Sequence, residues 1–136
     1  MPIMEWNEKL SVGVASLDND HKKLVALVNE LYDAIQAGKG ADKLGPVLDS
    51  LISYTVFHFQ NEEKFFAQTG YPASAAHKQE HEALTKQAVA IQTKFKSGAA
   101  GTLTLEVMNF LRNWLINHIQ GSDKKYGPHL NAQGIK

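Results

Sequence analysis

The sequence predicts an all-α fold: an antiparallel up-down-up-down four-helix bundle preceded by an extended N-terminal arm. Three observations carry this. Apolar residues recur at alternating spacings of three and four along four long segments, the period of a single helix face. Glycine, proline and Ser/Thr/Asp residues punctuate the gaps as start and stop signals, while strand patterns are weak. The connections left between the segments are short, which favours antiparallel neighbours.

Residues 1–17 form the arm, and Trp6, Leu10, Val12, Val14 and Leu17 give it apolar surface to lie along the bundle. Trp6 is expected to anchor it. Asp18 or Asn19 caps a first helix that runs to about Ala37 and is ended by Gly38 and Gly40. A second helix spans roughly Leu44 to Gln68, with Pro46 in its first turn, where a missing N–H costs little, and Gly70 after its end. Gly70-Tyr71-Pro72 is a turn, and Ser74 opens a third helix that closes at Gly98. Gly98 to Gly101 form a flexible link. Thr102 or Thr104 caps a fourth helix ending before Gly127-Pro128, so residues 18–126 make the bundle and residues 1–136 a single domain. His129, beyond that stop, is expected in an exposed loop.

Composition narrows the function classes. A chain of 136 residues with 43% hydrophobic and 21% charged residues buries a core without staples. Fourteen basic residues balance 14 acidic ones, so there is no electrostatic footprint for nucleic acid or an anionic membrane. Cysteine is absent, which removes thiolate sites and disulfides and fits a reducing compartment. Met1 to Leu10 carries Glu5 and Glu8 and has no apolar signal-peptide core, and no run approaches the roughly 18 apolar residues of a membrane span. A cytoplasmic protein is the expectation. The neutral surface and the lack of an extra hydrophobic stripe suggest a monomer.

Five of the six histidines and two carboxylates form a pattern: His21, His58, Glu62, His77, His81, His118 and Asp123. The gaps are 37, four, 15, four, 37 and five residues. His21 shares a stripe with Leu24, Val28, Leu31 and Ile35; His58 and Glu62 share one with Leu51, Tyr54 and Phe65. His77 and His81 continue into Leu84, Ala88, Ile91 and Phe95, and His118 follows Val107, Leu111 and Trp114. All seven therefore point where periodicity expects apolar core, which is costly unless each polar group has a partner. One histidine on such a face is usually a satisfied core residue. Five aligned with two acids reverse that reading.

The pairs His58/Glu62 and His77/His81 are four residues apart and project from adjacent turns of one face. His118 and Asp123 are five apart, about 140° around an ideal helix. Gly121 between them can host a π-bulge that restores convergence, and such a distortion is predicted at about Ile119 to Ser122. Imidazole and carboxylate without thiolate suit iron, manganese or zinc, and so many ligands imply two ions. If both carboxylates and a solvent oxygen bridge a pair of octahedral irons, one position stays open for a small ligand such as dioxygen. Two carboxylates offer less anionic charge than the four of ferritin-like di-iron enzymes, so oxygen is expected to bind without cleavage. Leu24, Phe59, Trp114, Leu115 and Ile119 are expected to form an apolar wall. No spare acid or base stands next to the ligands in the pattern, and Tyr54 and Tyr126 read as packing or hydrogen-bonding residues.

At these residues the chain resembles the hemerythrins, above all their single-domain bacterial form. The resemblance rests on Trp6, on Gly13 to Lys23 (GVASLDNDHKK), His58 to Glu62 (HFQNE), His77 to His81 (HKQEH), and Trp114 to Tyr126 (WLINHIQGSDKKY). It implies a bundle holding a μ-oxo- or hydroxo-bridged di-iron centre, with His77, His81 and His118 on the filled iron. By the same resemblance His21 and His58 hold the iron with the open position, and Glu62 and Asp123 bridge. Reversible dioxygen binding is the leading expectation, for storage, transport or delivery to an oxygen-consuming enzyme, and not catalysis. The alternatives are oxygen or redox sensing, peroxidase or nitric oxide-scavenging activity, a two-zinc hydrolase, and iron storage or a structural metal. With no appended sensor or kinase domain in the sequence, signalling would need a separate partner.

Overall fold

The computed structural model of the chain describes residues 4–38, 41–98 and 105–136. A short 3₁₀ turn (Glu8–Leu10) lies in the arm, followed by α1 (Ala15–Gln36), α2 (Ala41–Thr69), α3 (Ser74–Lys96) and α4 (Leu105–Asn117). A six-residue π-helix (His118–Asp123) then leads without a break into α5 (Lys124–Ala132), so the last three segments form one long fourth helix. No strand occurs among the described residues, and the architecture is the predicted four-helix bundle. The predicted caps Thr102 and Thr104, and the link beyond Gly98, lie outside the described residues, as does the Val107 side chain.

Each helix buries part of the stripe its periodicity marks, while Ile35, Tyr54, Phe65, Leu111 and Trp114 are only half-buried. α1 buries Leu17, His21, Leu24, Val28 and Leu31; α2 buries Leu48, Leu51, Thr55, His58, Phe59, Glu62 and Phe66. On α3, His77 and His81 are buried, while Leu84, Ala88, Ile91 and Phe95 are only half-buried. Left-handed backbone at Gly38 (φ +71°) and Gly98 (φ +89°) ends α1 and α3 where expected.

Three boundaries differ from expectation. α1 starts at Ala15, behind a Val14 N-cap that makes no side-chain bond. Asp18 sits in its first turn and reaches back to the arm, taking Ser11 Oγ at 2.6 Å and the Val12 N–H at 2.8 Å. A carboxylate there complements the positive helix end and satisfies arm donors together. α2 begins at Ala41, so Pro46 lies in its second turn. The fourth helix continues through Gly127-Pro128 to Ala132. Gly127 is no stop signal: it is buried against the arm, where a methyl group would collide with the Val12 carbonyl oxygen. His129 is accordingly half-buried on α5, its Nε2 donating to the Thr69 carbonyl at 3.0 Å.

The arm is stitched down along its length. Met4 exchanges two hydrogen bonds with Asn29 on α1, and Asn131 Nδ2 donates to the Gly13 carbonyl at 3.0 Å. Met4, Leu10, Val12 and Val14 are buried, and the Lys22 ammonium lies 5.3 Å from the centre of the Trp6 ring. None of the helices in the described residues is long and apolar enough to cross a membrane.

Candidate metal centre

The four helices bring all seven predicted residues together in the interior, none more than 7% exposed. His21 comes from α1, His58 and Glu62 from α2, His77 and His81 from α3, and His118 and Asp123 from the two ends of the π-helix. The π-helix covers the stretch where the five-residue spacing required a distortion. Its wider turn brings Asp123 onto the face of His118, with Nε2 to Oδ1 at 3.1 Å.

The donor atoms fall into two overlapping groups, within each of which every atom lies within 4.8 Å of the others. One contains His77, His81 and His118, the other His21 and His58, and Glu62 and Asp123 belong to both. Asp123 is the hub: Oδ1 stands 2.8 Å from His77 Nε2 and Oδ2 stands 3.0 Å from His21 Nε2. Glu62 Oε1 lies 3.1 Å from His81 Nε2 and 3.4 Å from His58 Nε2. Close as they are, these atoms do not meet the angles of a hydrogen bond. Among the described residues, the buried side-chain nitrogens and oxygens lacking a hydrogen-bond partner all belong to this set of seven. Lone pairs so arranged fit a pair of cations with N and O ligands, and without cations their burial would be costly.

Charges within the cluster support one another. Burial works to raise the Asp123 carboxyl, but His118, His21 and His77 hold it well below the usual carboxylate value. Burial works against a charge on His21 and His118 too, yet Asp123 and Glu62 leave both above the ordinary imidazole value. Tyr126, fully buried, donates to Glu62 Oε2 at 2.5 Å. Burial and the neighbouring carboxylates push its phenol well above the usual range, so it remains a donor.

A layer of acids stands behind the histidines, against the expectation that none would. Asp20 Oδ2 accepts from His58 Nδ1 at 2.9 Å, and Glu63 Oε2 from His81 Nδ1 at 2.9 Å. Glu80 Oε2 lies 3.7 Å from His118 Nδ1, and its Oε1 accepts from Ser122 Oγ at 2.9 Å. Burial works to raise Asp20, but His58, Asn61 and Tyr54 hold it below the usual carboxylate value. Each of these acids is the sequence neighbour of a cluster residue: Asp20 of His21, Glu63 of Glu62, Glu80 of His81. That adjacency was the available signal, since one residue is a turn of about 100° and carries the side chain from one interhelical seam towards the next.

The five residues predicted as an apolar wall divide into two places. Leu24, Trp114 and Leu115 line an internal apolar cavity of about 40 Å³, closed further by Val28, Leu48 and Leu111. Phe59 is stacked on the His81 ring at 3.8 Å between centroids, and Trp114 is parallel to His118 at 5.6 Å. Ile119 is fully buried beside His118 and does not line the cavity.

The family model for the hemerythrin HHE cation binding domain matches residues 12–130. The chain is 38% identical over 133 residues to the bacteriohemerythrin of Methylococcus capsulatus, spanning 97% of this chain and 100% of that protein. It is 35% identical over 121 residues to a hemerythrin-like protein of Naegleria gruberi, spanning 89% of this chain and 88% of that one. A crystal structure of wild-type hemerythrin matches with a TM-score of 0.87 at 38% identity, over 94% of this chain and 98% of that chain. A leucine-to-tyrosine variant of hemerythrin matches with a TM-score of 0.89 at 38% identity, over 96% and 98% of the two chains.

Proposed function

The chain belongs to the hemerythrin family, and on that premise we propose that it binds dioxygen reversibly at a non-haem di-iron centre. The observation that carries this is the confinement of unpartnered buried donors to two groups sharing two carboxylates. His77, His81 and His118 would hold one iron and His21 and His58 the other, with Glu62 and Asp123 available to both. With one histidine fewer, the His21/His58 side would be the one that admits a small ligand. Bound there, two irons would supply the electrons that oxygen takes up.

The remaining residues protect that exchange. Phe59, stacked on His81, and Trp114, parallel to His118, hold two rings in place. Tyr126 takes up the outer lone pair of Glu62 Oε2, which leaves the inner one free for a cation. Leu24, Trp114 and Leu115 offer oxygen a largely apolar approach. Residues 1–136 act together as one such domain, storing oxygen or handing it to an oxygen-consuming enzyme.

The test is an absorption spectrum of the reduced, iron-loaded protein taken without air, after air, and after purging with argon. A visible band that appears with oxygen and fades on purging is the expected outcome. Immediate irreversible oxidation with both irons retained would replace the carrier by a redox sensor or enzyme.

A further inference from the structure

Asp20 stands beside the cluster without belonging to it. α1 carries it one position before His21, so its carboxylate is turned away from the interior and towards a stripe of α2. There it gathers three donors from successive turns. Tyr54 Oη donates to Oδ1 at 3.0 Å, while His58 Nδ1, at 2.9 Å, and Asn61 Nδ2, at 3.2 Å, share Oδ2. A carboxylate oxygen can only accept, so the ring proton of His58 resides on Nδ1 and the lone pair of Nε2 faces inward. Nε2 is the His58 atom left unpartnered in the interior.

The two histidine sets differ in what stands behind them. In the three-histidine group, His81 and His118 face Glu63 and Glu80. In the two-histidine group, His21 Nδ1 has no hydrogen-bond partner, and Asp20 behind His58 is the outer carboxylate. We propose that Asp20 is a positioning residue that, through His58, sets the electron density and the retention of the iron with the open position. This rests on the di-iron reading above. An anionic acceptor on the far nitrogen makes an imidazole a stronger donor, which favours the ferric over the ferrous ion. Asn61 moderates the effect, because it draws on the same oxygen as His58.

Two variants, Asp20→Asn and Asn61→Leu, test it on the full chain loaded with iron, by metal content, midpoint potential and the rate of iron release to a chelator from the reduced form. Asp20→Asn keeps the size and removes the charge. It should raise the potential and speed the release of one of the two irons by roughly 10–100-fold. Asn61→Leu leaves Oδ2 to His58 alone while Tyr54 still holds Oδ1. It should lower the potential and slow that same release. Opposite signs are the signature, since a loss of packing would move both variants the same way.

Unchanged potential and release in Asp20→Asn, or shifts of one sign in both variants, would overturn the proposal. Should Asp20→Asn fail to fold, the sign in Asn61→Leu decides alone: a lower potential supports the proposal, and an equal or higher one overturns it. Wild-type protein that takes up fewer than two irons would instead overturn the di-iron reading, and the role of Asp20 with it.

Discussion

Tyr54 shows how far the influence of Asp20 reaches beyond the cluster. Burial and the hydrogen bond to Asp20 push the Tyr54 phenol from 10.0 up to about 12. A folded value above the unfolded one means that the stabilisation is present in full below pH 10.0 and is lost as pH rises towards about 12. Denaturant midpoints of wild type should therefore fall more steeply than those of Tyr54→Phe between about pH 10 and about pH 12. Parallel slopes would mean that the phenol titrates as it does in the unfolded chain. At this scale the cluster histidines were legible as a set: each occupies a position where helical period demands core, and one alone would have read as a satisfied core residue. Asp20, Glu63 and Glu80 were not, because on their own helices they read as ordinary surface acids. Their meaning lies in the nitrogen they meet on another helix.

Between His118 and Asp123 the local rule and the site requirement conflict, and the π-helix resolves the conflict. Five residues of α-helix would turn Asp123 away from His118, whereas the π turn brings its Oδ1 to 3.1 Å from His118 Nε2. That distortion was readable from the spacing alone. Gly127-Pro128 was misread because a glycine has two uses, ending a helix or letting another chain approach closely. Here the neighbour is the Val12 carbonyl of the arm. Gly127→Ala should therefore cost roughly 1–3 kcal/mol, because the clash is with backbone that cannot swing aside. Chemical denaturation would measure the loss, and hydrogen exchange should show the Val12 amide, normally held by Asp18, losing protection. Wild-type stability in that variant would mean that the arm yields freely.

The whole bundle encloses a polar centre that its apolar core does not satisfy. An ion held at about 1,000 times its dissociation constant adds about 4 kcal/mol to the folded state. For a chain of this size each kcal/mol moves the melting temperature by roughly 2–4 °C. Removing both ions with a chelator under reducing conditions should thus lower the melting temperature by more than about 10 °C, as read by circular dichroism. Apo and loaded protein melting within about 2 °C of each other would show that the cluster is not linked to metal. The sequence by itself determined the helix count, the inward direction of the seven clustered residues and the place of the π-helix. Each of these follows from spacing along one chain segment at about 3.6 residues per turn. Only the tertiary structure decided the division into two donor groups, the acids behind three histidines, the contact of the arm with Gly127 and the position of the apolar cavity. Such pairings depend on how far one helix slides and turns against the next, and no single helix records that offset in its own periodicity.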